Sequence, residues 1–451
     1  MSELPNNWIK LDLSEIANIV YGKGLPTNKL IDTGYPVFGA NGVIGYTNKY
    51  IYENEEVLIS CRGAYSGKIN ISPAKCHVTN NSLILEFNKV LYKYRKYFYY
   101  ILQAVDKTKI VTGSAQPQVT INNVKDLSIP LPPLPEQHRI VAKIEELFTR
   151  LDAGVKSLRK AKALLKQYRQ SVLKAAVEGR LTEEWRTENA GRIEPASVLL
   201  ERIQAERKQR LGKKYKPPNP IDTSNLPDLP EGWVWANIQS IGEVVTGTTP
   251  SKSKLEYYGN DYPFYKPTDL NSGYFVNNST DALSYIGIEK ARLLPENTVL
   301  VTCIGATIGK TGLIRKEGAS NQQINAILTE QCINSEYLYF TAISPFFQNQ
   351  IISKASSTTL PILNKSKFEE LPIMITSIEE QVVIVKEIER LFSIIDDSER
   401  IFDSEFKRSQ SLRQSILKRA FEGKLVPQDP NDEPASMLLE RIKIKQNKSE
   451  F

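Results

Sequence analysis

Pro434-Ala435-Ser436-Met437-Leu438-Leu439-Glu440-Arg441-Ile442 repeats, with one change, a string that already stands at Pro195-Ala196-Ser197-Val198-Leu199-Leu200-Glu201-Arg202-Ile203. The two lie 239 residues apart in a chain of 451, so one unit is written twice. A duplicated domain with its connector is expected to hold two similar surfaces at a fixed separation.

Working outward, the copies run the length of the chain. Trp8, Ile16, Val20 and Gly22 recur as Trp233, Ile241, Val245 and Gly247, at an offset of 225. Gly34-Tyr35-Pro36-Val37-Phe38 answers to Asp261-Tyr262-Pro263-Phe264-Tyr265, and Cys61, Gly63, Ala64, Gly67 and Lys68 return as Cys303, Gly305, Ala306, Gly309 and Lys310. The clearest register has an offset of 244, where Glu136, Gln137, Ile140, Ile144, Glu145, Leu147, Phe148 and Asp152 equal Glu380, Gln381, Ile384, Ile388, Glu389, Leu391, Phe392 and Asp396. The offset drifts only in the front part of each unit, which places insertions in loops there. Variable loops on a shared frame are expected to carry different recognition surfaces.

Composition bounds the possibilities. With 41% hydrophobic and 24% charged residues, the chain reads as several globular domains, each able to bury a core. No apolar run is long enough for a bilayer, and the polar start Met1-Ser2-Glu3-Leu4-Pro5 does not read as a signal peptide. Cys61, Cys76, Cys303 and Cys332 form no Cys-x-x-Cys pair, so a reducing, cytoplasmic setting without disulfides or zinc is expected. The formal net charge is +7, yet residues 153–216 alone carry 17 Lys and Arg against 7 Glu. Such a strip could attract a phosphate backbone or an acidic partner, but for a charge run in isolation a solvated helical face is the better reading.

The expected fold class is α+β: two α/β front domains and two long helices packed antiparallel as a coiled coil, an internal pseudo-twofold repeat. Short apolar runs such as Val57-Leu58-Ile59-Ser60 and Val299-Leu300-Val301-Thr302, bounded by Gly, Asn and Pro, read as strands. Tyr92, Tyr94, Tyr97, Phe98, Tyr99 and Tyr100, answered by Tyr337, Leu338, Tyr339 and Phe340, read as a helix whose rings pack on the sheet. Behind each front domain a rod begins at Pro135-Glu136-Gln137 or Ser377-Ile378-Glu379-Glu380. Ile140, Ile144, Leu147, Leu151, Val155, Leu158, Ala161, Leu165, Tyr168, Val172 and Ala176 form a narrow seam in the first rod. Ile384, Ile388, Leu391, Ile395, Phe402, Phe406, Leu412 and Ile416 form it in the second. Gly179 and Gly423 supply the stops, and about 40 residues give a rod of roughly 60 Å. Shorter helices are expected at 194–210 and 433–445, with a basic, Pro-rich linker at 213–220 between the units.

Catalytic motifs are scarce. Gly305-Ala306-Thr307-Ile308-Gly309-Lys310-Thr311 is one residue short of a phosphate-binding loop, and Gly63-Ala64-Tyr65-Ser66-Gly67-Lys68-Ile69 lacks the hydroxyl that would hold magnesium. Both are expected to be tight turns between strands. The two histidines, His77 and His138, have no repeat counterparts, and no metal-ligand spacing appears. No cofactor and no catalytic residue are expected.

What remains is polar loop chemistry suited to phosphates and base edges. In the first unit the candidate DNA-binding residues are Arg62, Tyr65, Lys68, Asn80, Asn81, Lys107, Lys109, Ser114, Gln116 and Gln118. In the second they are Thr248, Lys252, Lys254, Lys266, Lys310, Arg315, Asn321, Gln322, Gln323, Lys354, Ser356, Ser357 and Thr358. Only convergence on one face would distinguish them from solvated loop residues.

Leu131-Pro132-Pro133-Leu134-Pro135-Glu136-Gln137, Ala176-Val177-Glu178-Gly179-Arg180-Leu181-Thr182-Glu183-Glu184-Trp185-Arg186 and the Pro-Ala-Ser-x-Leu-Leu-Glu-Arg-Ile pair resemble the specificity subunit of type I restriction–modification enzymes. The second copy departs, reading Ile373-Met374-Ile375-Thr376-Ser377-Ile378-Glu379-Glu380-Gln381 without the prolines and Val426-Pro427-Gln428 in place of the Thr-Glu-Glu-Trp-Arg tail. The resemblance implies target recognition domains at 1–134 and 225–376, a helical spacer plus linker at 135–224, and a second spacer at 377–451. It further implies double-stranded DNA as ligand, a bipartite asymmetric target, two methyltransferase subunits docked on the helices and restriction subunits joined through them, without a membrane. Competing readings are the specificity subunit of a related type II methyltransferase–nuclease, an enzyme fragment, and a coiled-coil scaffold that binds no DNA.

Overall fold

The computed structural model describes residues 4–330, 332–356 and 360–447. The chain divides into two compact units, one formed by residues up to Arg159 with those from Phe402 onward, the other by Lys160–Ile401. Each unit therefore joins its own front domain to a piece of each long helix.

In the first unit the strands are β1 (Ile9–Asp12), β2 (Ala17–Tyr21), β3 (Tyr35–Phe38), β4 (Val43–Thr47), β5 (Val57–Ser60), β6 (Ile69–Ile71), β7 (His77–Val78), β8 (Ser82–Phe87) and β9 (Ser128–Leu131). They make a four-stranded sheet β2-β8-β5-β6, a three-stranded sheet β4-β3-β7 and the closing pair β1-β9. The second unit has β10 (Val234–Asn237), β11 (Gly242–Thr246), β12 (Tyr258–Tyr265), β13 (Asp281–Leu283), β14 (Val299–Thr302), β15 (Thr311–Leu313), β16 (Ala319–Ser320), β17 (Ile324–Thr329) and β18 (Pro372–Ile375). Its sheets are β11-β17-β14-β15, β13-β12-β16 and β10-β18, the same topology strand for strand. All pairs are antiparallel except β3·β7 and β12·β16. Val57, Leu58 and Ile59, like Val299, Leu300 and Val301, are wholly buried, which is why these runs read as continuous apolar stretches.

The aromatic helices, Arg95–Ala104 and Ser335–Ala342, pack on the sheets as expected, with Tyr97, Phe98 and Tyr337 almost completely buried. Their hydroxyls rivet them to the closing strands, Tyr97 Oη donating to the Pro130 carbonyl at 2.7 Å and Tyr337 Oη to that of Met374 at 3.0 Å. One-turn helices at Ile121–Val124 and Lys365–Glu369, capped by Thr120 and Asn364, precede the closing strands. They are too short to leave a periodic signal in the sequence.

The long helices are Leu134–Val177 and Ile378–Phe421, 44 residues each. Within the first unit Glu136 meets Gln428 and Asp152 meets Arg413, so the two helix segments run antiparallel there. Within the second, Arg169 meets Asp396 and Arg186 meets Glu380, again antiparallel. The core of each unit is closed by both repeats. Ile140 and Ile144 of the first rod pack with Leu417, Ala420 and Phe421 of the second in one unit. Ile384 and Ile388 pack with Leu173, Ala176 and Val177 in the other, the equivalent positions.

The seam differs from expectation near its middle. Leu151, Val155, Leu158, Ala161 and Leu165 are only half-buried, because a helix with one neighbour covers a narrow stripe. Tyr168 and Leu412, equivalent positions expected inside, are 48% and 42% exposed. The inward places go to Arg169 and Arg413, whose guanidinium carbons lie 4.5 Å over the rings of Phe392 and Phe148 while each pairs with Asp396 or Asp152. Phe148, not Leu147, is therefore the buried residue of that turn. An arginine clasp that stacks and ion-pairs at once satisfies a seam that leucine would only partly fill.

The rod ends are fixed by a buried carboxylate. Glu136, 1% exposed, accepts from the Trp8 indole at 2.9 Å and from Gln428 at 2.6 Å. Glu380, also 1% exposed, accepts from the Trp233 indole at 2.8 Å, from Thr182 at 2.7 Å and from Arg186 at 2.5 Å. Burial pushes the Glu136 carboxyl above the usual range, against the pull of its donors and of Arg139, which pairs with Asp432. Gly179 and Gly423 end the rods at φ 69°, and a Cβ there would stand 2.6 Å from Pro230 or 2.4 Å from Pro5. The neighbouring glutamines donate to the carbonyls of Pro132 and Thr376 at 2.9 and 2.8 Å, fixing each rod to its closing strand.

Leu417 lies in the second rod yet is 2% exposed inside the first unit. L417A is expected to destabilise that unit by about 2–5 kcal/mol. Hydrogen exchange should report the loss at 57–60 and 82–87 and leave 299–302 protected.

Candidate nucleic-acid interface

At one end of each four-stranded sheet several loops cross through main-chain bonds repeated in both units. After β5 the chain turns through Gly63 and Gly67, at φ 73° and 77°, and Ser60 N donates to the Lys68 carbonyl at 2.8 Å. After β14 it turns through Gly305 and Gly309, at φ 100° and 85°, with Thr302 N to the Lys310 carbonyl at 2.8 Å. Each glycine-spaced string is thus a strand-to-strand turn, as expected. β15 begins at Thr311, so no helix N-terminus is there to cradle a phosphate.

A second loop lies across each turn. Gly63 N donates to the Pro117 carbonyl at 3.0 Å and Val119 N to that of Cys61 at 3.1 Å. Gly305 N donates to Pro361 at 2.9 Å and Leu363 N to Cys303 at 2.8 Å. This loop is pinched by Thr112 and Gln118, and in the second unit by Ser356 and Ile362. A third loop joins through Cys61 N to the Asn81 carbonyl at 2.9 Å, matched by Cys303 N to Gln323 at 2.7 Å. Gly22 and Gly247 pass so close that a Cβ would stand 2.3 and 2.2 Å from the carbonyls of Thr79 and Asn321, leaving room for nothing larger.

The structure brings together Arg62, Tyr65, Lys68, Asn80, Asn81, Ser114, Gln116 and Gln118 on these loops, with Tyr65 half-exposed. Lys107 and Lys109 are exposed on a short turn beside them, and the Lys107 stem lies against Gly67. In the second unit Thr248, Lys310, Asn321, Gln322, Gln323 and Ser356 occupy the corresponding loops. Asn321 and Gln323 bond each other at 2.9 Å and hold the loop, whereas Gln322 is exposed. Lys252 and Lys254 sit in the exposed segment before β12, Lys254 over the Tyr257 ring at 5.3 Å.

Three candidates have other work or another place. Lys266 pairs with Asp281. Arg315 is held by Glu336 at 3.0 Å and Asn297 at 2.9 Å, over the ring of Tyr274. Lys354 ends the helix Pro345–Lys354 and lines a cavity of about 600 Å³ with Lys367 and Asn219. Ser357 and Thr358 lie outside the described residues. The sequence reading missed Asn41 and Asn271, which accept from the Lys68 and Lys310 ammonium groups, the latter at 2.8 Å, and so aim both lysines. Glycines flanking Asn41 in Gly39-Ala40-Asn41-Gly42 were the available signal.

Taken together, the loops offer ammonium, guanidinium, amide and hydroxyl groups on a rigid frame. That set suits phosphate oxygens and base edges rather than bond-making. The thiols within it are inert: burial pushes the Cys303 pKa up to about 12 and raises that of Cys61. Among the described residues no group of three or more His, Cys, Asp or Glu could hold a metal ion, and no helix is long and apolar enough to cross a membrane.

A family model for the type I restriction modification DNA specificity domain matches residues 5–159 and 230–401. The chain belongs to this family. The specificity subunit of the EcoDI type I restriction enzyme of Escherichia coli is 25% identical over 453 residues, covering 98% of this chain and 96% of that relative. The HindI specificity subunit of Haemophilus influenzae is 27% identical over 290 residues, a match spanning 58% of this chain and 62% of that protein. Among solved structures, a chain from work on complex assembly and conformational transition of the type I R-M system aligns with TM-score 0.64 at 18% identity, over 94% of this chain and all of that one. The HsdS subunit from Thermoanaerobacter tengcongensis aligns with TM-score 0.51 at 17% identity, over 94% and 98%. The curated relatives are specificity subunits, the non-catalytic recognition components of restriction–modification systems, and this chain stands with them.

Iodoacetamide at pH 8 is expected to label half-buried Cys332 first and to reach Cys61 and Cys303 only after unfolding. Mass spectrometry of the native chain checks this, and early labelling of Cys303 would contradict its burial.

Proposed function

We propose that the chain is the sequence-reading subunit of a type I restriction–modification complex, with each unit reading one half of a bipartite, asymmetric DNA target. It docks two methyltransferase subunits on its helical parts, and restriction subunits join through them. One observation carries the reading: the same main-chain crossings recur in both units while the side chains they present differ. Arg62 and Tyr65 stand where Ile304 and Thr307 stand in the second turn, and Asn80 and Asn81 where Gln322 and Gln323 stand. Shared backbone geometry suits the phosphate register common to all DNA, and unlike side chains suit unlike base sequences. Lys68 and Lys310, aimed by Asn41 and Asn271, are the phosphate contacts of this scheme.

Binding of the chain with its methyltransferase partner to a target duplex, titrated against salt, tests the lysines. K68A and K310A are each expected to weaken binding to every sequence and to lower the slope of log K against log salt by about one. A slope unchanged in both variants removes these lysines from the interface.

The long helices supply the measure between half-sites in this scheme, since each is continuous from one unit into the other. One helical turn inserted into both rods, near Leu165 and at the facing position, is expected to lengthen the gap between half-sites and leave their sequences unchanged. Sequencing of modified bases in cells carrying the variant reads both. A change in the half-site sequences themselves would count against the rods as a ruler.

A further inference from the structure

The second unit covers a surface that the first unit leaves open. There Tyr274 stacks on Phe340 (ring centres 5.0 Å apart), lies against Tyr339 at 5.4 Å and donates its hydroxyl to Glu389 at 2.7 Å. Arg315 lies over the outer face of Tyr274, its guanidinium carbon 4.8 Å from the ring centre. Tyr274 comes from the stretch between β12 and β14, which is 33 residues long (266–298). The equivalent stretch of the first unit, between β3 and β5, has only 18 (39–56).

All three partners of Tyr274 have counterparts in the first unit. Tyr99 and Tyr100 stand for Tyr339 and Phe340, and Glu145 for Glu389. The underlying packing is conserved between the copies, with Tyr100 against Phe148 at 5.8 Å where Phe340 meets Phe392 at 5.8 Å. Instead of a tyrosine, Tyr99, Tyr100 and Glu145 face a groove of about 460 Å³, walled further by Thr149, Asp152 and Arg413. Glu145 pairs there with the exposed Lys96, at 2.7 Å.

We infer that this groove receives a tyrosine side chain from the docked methyltransferase subunit, inserted as Tyr274 is inserted in the second unit. The ring lies on Tyr100, and its hydroxyl donates to Glu145. The wall of the groove is the face of the first long helix, so the site is continuous with the docking surface proposed above, and the inference rests on that reading. A consequence is that the two units hold their partners unequally, the first taking a side chain that the second supplies for itself.

The test uses the full chain and its cognate methyltransferase subunit, with affinity measured by titration calorimetry. T149W fills the groove from an exposed position, and S393W places the same ring at the repeat-equivalent, exposed position beside the covered surface. Unchanged melting temperatures establish that both variants fold. T149W is expected to weaken binding at one of the two sites about tenfold, and S393W to leave both sites as in the parent chain. A loss below fivefold for T149W, or an equal loss for S393W, overturns the groove while the parent chain still binds. A parent chain that binds no methyltransferase overturns the proposed docking itself.

Discussion

A buried carboxylate at the start of each rod governs the architecture. Glu136 and Glu380 are taken almost wholly out of water, a placement that costs several kcal/mol unless every acceptor site is filled. Each receives an indole from its own repeat, Trp8 or Trp233, and a donor from the tail that follows the other repeat's rod. Each carboxylate therefore draws its donors from both copies. The same exchange shapes the cores, where Leu417 and Ala420 serve the first unit and Leu173 and Ala176 the second. The divergence of the tails fits this geometry: Thr182 and Arg186 reach one glutamate, whereas Gln428, with Arg139 and Asp432 beside it, reaches the other by different chemistry.

Between their ends the rods bury little beyond Ile395, a stripe too narrow to fix their alignment by burial alone. Phe148 with Arg413, and Phe392 with Arg169, provide what apolar contact does not. A slip of one turn would move an arginine about 5.4 Å along the axis, off its ring and away from its aspartate at once. The stack adds about 0.5–2 kcal/mol per clasp, small beside the core but sensitive to register.

The sequence showed the duplication, the rods and their stops plainly, because these rest on local rules: spacing of three and four, an acidic first turn, a glycine at the end. Tyr168 and Leu412 were misread because a tally of apolar residues gives an arginine no credit for lying over a phenylalanine more than 200 positions away on another helix. In the loops, Lys68, Lys310, Asn81 and Gln323 were legible from glycine-marked turns that keep one offset. Asn41 and Asn271 were not, since they stand 230 residues apart in the region where the register drifts. Arg315 drew attention as a loop cation, but its partners Glu336 and Tyr274 are brought to it only by the packing of helix on sheet.

The interface divides its labour between main chain and side chain. Main-chain bonds from Cys61, Gly63 and Val119, and from Cys303, Gly305 and Leu363, carry the crossings, with Ser66 and the Asn321–Gln323 pair adding side-chain bonds. A side chain such as Tyr65 or Gln322 can then change without loosening the frame, because no hydrogen bond of the crossing depends on it. Gly22 and Gly247 cannot change so freely, because chains pass too closely there for a larger group, and Gly63 and Gly305 are held by their positive φ. A frame built this way lets the displayed side chains of one unit differ from those of the other, as Arg62 and Tyr65 do from Ile304 and Thr307, while the crossings stay the same.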